Sequence, residues 1–154
     1  MIYNDVLRRI RYTFDFSDDQ MISMFALTGY TVSRAEISNW LKKEDDPDLA
    51  LIHDKFLAIF LNGFIIHQRG RQEGQEPVVE KRLTNNIILR KLKIALQLKD
   101  DDILAILNLV GFHLSRHELS AFFRKTDHPH YRLCKDQVLR NFTYGMQVKY
   151  HKKS

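Results

Sequence analysis

Apolar residues recur along this chain at helical spacing, and they do so in two passes. Behind Asn4, the residues Val6, Leu7, Ile10 and Phe14 form one stripe; behind Asn86, Ile88, Leu89, Leu92 and Leu96 form another. Each predicts an amphipathic helix with the asparagine as its N-cap. A second helix is predicted after Ser17, where Ser-Asp-Asp-Gln reads as a capping box. Met21, Ile22, Phe25 and Leu27 give its buried side, matched by Ile103, Leu104, Leu107 and Leu109 behind Asp100–Asp102. Acidic residues in a first turn suit the helix dipole, which accounts for these aspartates without a metal. Gly29 and Gly111 end the second helices, as glycine does where φ turns positive.

Third helices follow at Ser33 and Ser115, each with a glutamate three residues on (Glu36, Glu118), the capping-box spacing again. Ile37, Trp40 and Leu41 face inward, as do Leu119, Phe122 and Phe123. Lys42-Lys43 and Arg124-Lys125 place cations at the favoured helix end, and Pro47 and Pro129 close the loops. The fourth helix of the first pass, Asp54 to about Gln68, is apolar around most of its circumference; its counterpart, VLRNFTYGMQV, keeps a polar face. The fold class predicted is all-α.

The two passes are one unit written twice. A shift of 82 residues lays 4–69 onto 86–151 without a gap, with 19 of 66 pairs identical. Such register is the mark of a duplicated supersecondary unit. Each copy alone is small enough to be marginal, so two tandem four-helix repeats with approximate twofold pseudo-symmetry and one shared core are expected. The organisation is repeat 1 over 1–68, a linker over 69–83, and repeat 2 over 84–154. The stretch Gln68–Leu83 reads as a mobile surface linker open to proteolysis. Gly63 and Gly145 sit mid-helix, where glycine costs about 1 kcal/mol against alanine. That cost, accepted twice, predicts close helix approach, with the two fourth helices crossing each other at their glycines. The alternative is that the surplus apolar face over Phe56–Ile66 is an oligomer contact.

Composition narrows the classes. With 44% hydrophobic residues and 17 aromatics the chain of 154 residues is globular. A single cysteine excludes an intrachain disulfide and fits a reducing compartment. The start, MIYNDVLRRIRY, is no signal peptide, and no apolar run is long enough for a bilayer, so the expectation is cytoplasmic with no membrane partner. Charge is uneven: residues 1–83 carry 11 Lys and Arg against 13 Asp and Glu, and residues 84–154 carry 13 against 6. Either the acidic half packs on the basic one, or the basic half faces a polyanion.

The first helices carry matched cations, Arg8, Arg9, Arg11 and Arg90, Lys91, Lys93, which suit either phosphate or solvent. Helices two and three invite comparison with a helix-turn-helix, Ala26 being the small residue and Gly29 the turn glycine, although the turn is about two residues too long. Outward residues of the third helices would be Arg34, Ser38, Asn39 and Lys42, with Arg116, His117, Ser120 and Arg124 in the copy; arginine and asparagine suit base edges. The nucleic-acid candidates are therefore Arg90, Lys91, Lys93, Arg116, Arg124, Lys125, Arg34 and Lys42. His113, His117, His128 and His130, with Cys134 nearby in sequence, are the zinc candidates, confined to repeat 2. No glycine-rich phosphate loop, nucleophile elbow or Cys-x-x-Cys is present, no catalytic residue stands out, and no cofactor is called for. Cys134 precedes a helix, but its counterpart is Ile52, which favours an ordinary packed cysteine.

These residues bear a family resemblance. NDVLRRIRY with NNIILRKLK, the SRAEI…WLKKEDDP and SRHEL…FFRKTDHP pair, and KDDDILAIL resemble the YehS family, small two-repeat proteins of gammaproteobacteria. The likeness covers essentially the whole chain apart from the linker. It implies a bacterial, cytoplasmic location and tandem organisation, and transfers no catalytic residue or ligand. Three readings follow in order: a non-catalytic nucleic-acid-binding or regulatory module; a protein-interaction or self-assembly module using the apolar fourth helix; and a metal-binding protein or enzyme.

Overall fold

A computed structural model describes residues 1–74 and 78–152. Among these are eight α-helices and no strand: α1 Tyr3–Thr13, α2 Asp18–Leu27, α3 Arg34–Trp40, α4 Asp54–Arg69, α5 Asn85–Ala95, α6 Asp100–Asn108, α7 Arg116–Phe122 and α8 Asp136–Tyr150. Both halves contribute to one core, which runs from Val6 and Leu7 in α1 to Phe142 and Met146 in α8. Within each repeat the second helix packs on the third and on the fourth. Between repeats α4 packs on α5 and α8 on α1. The 82-residue shift converts one of these seams into the other, so the two inter-repeat contacts exchange.

The local signals explain the boundaries. Ser17, Ser33 and Ser115 each accept the N–H three residues on, and Gln20, Glu36 and Glu118 reach back to the cap N–H. Gly29 and Gly111 take φ of +83° and +73°, ending α2 and α6. The first-helix asparagines, however, are not caps. Ile2 and Thr84 occupy the cap positions, and Asn4 and Asn86 are buried at the second helical position, within the first turn. Asn4 donates to the carbonyls of Trp40 (3.0 Å) and Ala50 (2.8 Å) and accepts from Ile52 N–H at 3.1 Å. Asn86 repeats this with Phe122 (3.1 Å), Arg132 (2.7 Å) and Cys134 N–H (2.9 Å). One amide in each repeat thus pins the loop before the fourth helix, because the backbone groups about buried Ile52 and Cys134 have no ladder of their own and must find partners elsewhere.

The mid-helix glycines do mark close approach, but not with each other. A Cβ on Gly63 would lie 1.9 Å from the Met24 carbonyl oxygen of α2, and one on Gly145 would lie 2.3 Å from that of Ile106 in α6. Met24 and Ile106 occupy the same repeat position and both are fully buried. The glycines therefore serve the α2/α4 and α6/α8 crossings inside each repeat. The surplus apolar face of α4 is likewise used internally: Leu57 through Phe64 are all buried, with α2 on one side and α5 on the other.

Part of the predicted linker is docked. Leu83 is buried, its N–H donates to Asp54 Oδ2 at 2.7 Å, and its carbonyl accepts from Tyr3 Oη at 2.9 Å. The Val78 carbonyl accepts from Asn62 of α4 at 2.9 Å. Residues 75–77 of that predicted linker, Pro77 included, lie outside the described residues.

Candidate nucleic-acid interface

Seven of the eight cations read as phosphate ligands divide into three groups, and Lys42 stands apart from them. Lys91 leaves the candidate set. It is only 8% exposed, lies in the α4/α5 seam, donates to Asn62 Oδ1 at 2.7 Å and stands 3.0 Å from Glu80 Oε1. That oxygen has no aligned hydrogen bond, so the contact is chiefly one of charge. The sequence placed Lys91 on a basic outer face because α5 was expected to have one packed side; the inter-repeat seam gives it a second.

A second group is neutralised at the surface. Arg34 pairs with Asp19, and Arg116 pairs with Asp101. Lys93 lies 2.8 Å from Asp100 and 4.4 Å from the Phe123 ring. The first-turn aspartates thus do more than answer the dipole: they tie α2 to α3 and α6 to α7, leaving those cations less charge to offer a phosphate.

The third group remains available. Arg90 is exposed and donates to the Phe123 carbonyl at 2.7 Å. This brings it to the residue before Arg124, whose Nη1 is 3.5 Å from His128 Nε2. Lys125, Arg132 and Lys135 follow, all exposed. None of Arg90, Arg124, Lys125, Arg132 and Lys135 has a carboxylate partner among the described residues. The equivalent loop of repeat 1 is inverted: residues 42–53 hold two cations against Glu44, Asp45, Asp46 and Asp48, whereas 124–135 hold four against Asp127 alone. Lys42 itself sits 3.5 Å from Ser38 Oγ.

Other expectations fare differently. Ala26 is exposed instead of lying at a helix crossing, residues 28–33 separate the helices, and α3 has seven residues. The short-turn docking geometry is not reproduced. Among the described residues no three His, Cys, Asp or Glu side chains gather as a metal would require. His128 Nδ1 accepts the His130 N–H at 3.0 Å, and His113 Nδ1 lies 2.8 Å from Asn108 Oδ1. In repeat 1 Asp46 accepts the Asp48 N–H at 2.8 Å in the same way, so His128 takes over a turn role. Cys134 is buried, and that burial, with Asp136 close by, pushes its thiol up to about 12. It is a packed thiol, not a nucleophile.

An all-helical chain built from one unit repeated in tandem, with no strand among its described residues, is the class this architecture defines. The family profile described as "Protein of unknown function (DUF1456)" matches twice, over residues 3–70 and 85–151. The chain belongs to that family. It is 40% identical over 156 aligned positions, covering 99% of both chains, to "Uncharacterized protein YehS" of Escherichia coli (strain K12). No solved structure matches.

Proposed function

We propose that the chain is a non-catalytic binding module that takes a nucleic acid on the basic loop of repeat 2, through Arg90, Arg124, Lys125 and Arg132. The observation that carries this reading is the inversion of charge between two otherwise equivalent loops. Packing demands are the same in both repeats, so the loop fold does not require four cations at 124–135. Exposed, unneutralised arginine and lysine side chains are what a phosphate backbone selects.

Retention of the purified protein on single- and double-stranded DNA and RNA pools tests it. Four phosphate contacts should make affinity fall by about two orders of magnitude between 50 and 200 mM salt. An R124Q/K125Q/R132Q variant should lose most of this binding, while R116Q should change it little, since Asp101 already neutralises that cation. Absence of low-salt retention, or equal loss in both variants, overturns the reading.

A further inference from the structure

The two inter-repeat seams are built from matching positions but are finished differently. In α4/α5 the seam cation, Lys91, has a carboxylate supplied by the chain itself: the segment 78–83 crosses the seam, with the Val78 carbonyl on Asn62 and Glu80 on Lys91. In α1/α8 the equivalent cation is Arg9 and the position of Asn62 is held by Tyr144. Arg9 donates to Gln147 Oε1, and its guanidinium lies 5.6 Å from the Tyr144 ring centre. No carboxylate pairs with it among the described residues. Nor does any described segment cross this seam as 78–83 crosses the other.

What is left uncovered is amphipathic. Tyr12, one face of which stacks on His151 with ring centres 4.4 Å apart, is still 54% exposed, and Tyr144 and Val148 are 49% each. A hollow of about 340 Å³ opens between Asp5, Arg8, Arg9, Tyr12 and Gln147. A neighbouring one, which shares Arg8 and Tyr12, extends the groove past Arg11 to Leu41 and Lys43. Arg8 is occupied by Asp5 and the Lys42 carbonyl, and Arg11 by Asp18. Arg9 is therefore the seam cation that lacks its counter-charge.

We propose that the α1/α8 seam docks an extended, carboxylate-bearing segment of a partner protein, with Arg9 receiving the carboxylate that Glu80 gives to Lys91 in the other seam. The chain thus displays in cis, on one seam, the kind of occupant the other accepts in trans. Carboxylate meets Arg9, and small apolar side chains beside it meet Tyr12, Tyr144 and Val148. This surface is distinct from the basic loop of repeat 2 and does not depend on it.

The test uses the full chain, isotopically labelled, titrated with the blocked peptide Ac-Val-Val-Glu-NH2 and its Gln analogue, and read by amide chemical shifts. Saturable shifts at Arg9, Tyr12, Tyr144 and Gln147 are expected, weakened about tenfold or more by the Gln peptide and by R9Q, since a charge-assisted pair is lost. Y12A, at an exposed position, should weaken binding without disturbing the fold, and nucleic-acid retention should be unchanged in both variants. No shifts at millimolar peptide, shifts confined to α4/α5, or equal response to the Glu and Gln peptides overturns the proposal.

Discussion

Replacing Gly63 by alanine separates two opposed contributions that differ in size. In an exposed helix the change would stabilise by about 1 kcal/mol through propensity alone. Here the new Cβ would stand 1.9 Å from the Met24 carbonyl oxygen, where ordinary contact begins at 3.4 Å. Relief needs roughly 1.5 Å of movement, and the obstacle is helix backbone, which cannot swing aside as a side chain does. Overpacking of this kind costs about 1–3 kcal/mol and sometimes more, and a backbone clash belongs at the upper end, so a net loss of about 3 kcal/mol is expected. For a chain of this size that lowers Tm by roughly 6–12 °C. Gly145→Ala should cost less, about 2 kcal/mol, because its carbonyl contact is 2.3 Å and the next obstacle is the Ile106 side chain. Thermal and urea unfolding followed by circular dichroism give both numbers. The two losses should add within about 0.5 kcal/mol, since each glycine meets a different helix of its own repeat. A Gly63→Ala protein as stable as the parent would refute the account of the α2/α4 crossing. Strong non-additivity would instead favour a direct crossing of α4 with α8.

Two further outcomes follow from buried groups. Asn86→Ala strips two carbonyls and one N–H of their partner and should cost about 3 kcal/mol in urea unfolding, with Asn4→Ala close to it because the geometry is duplicated; a loss below about 1 kcal/mol would show these bonds to be replaceable by water. Cys134 should resist Ellman's reagent in the folded protein and react only as it unfolds. Its folded pKa lies above the roughly 8.5 of a free thiol, so the protonated form contributes stability that is complete below that pH and lost as pH rises towards about 12. Cys134→Ser should flatten that alkaline loss, and rapid stoichiometric labelling of native protein would contradict the burial.

Among the candidate site residues, the sequence was most legible where a residue's role is local. Lys125 comes just after a short helix whose start is set by capping, so its exposure could be anticipated, whereas Arg124 beside it is half-buried. Arg34 and Arg116 look equally exposed in sequence, but their carboxylates, Asp19 and Asp101, lie fifteen residues earlier on another helix. Lys91 is the extreme case, because its partners come from the linker and the preceding repeat. The left-handed residues that end α1 and α5, Asp15 and Gln97 at φ of +54° each, carried no glycine to announce them.

By itself the chain's order of residues determined the helices, the serine-capped starts of α2, α3 and α7, the glycine stops of α2 and α6, and the duplication. These rest on hydrogen bonds and stripes spanning a few neighbours. Tertiary structure alone decided which helix faces which. Whether Gly63 meets α8 or α2, whether Asn4 caps or pins, and whether Lys91 meets phosphate or Glu80 all depend on groups brought together from distant parts of the chain. Local patterning specifies that a face must be covered; only the assembled packing specifies by what.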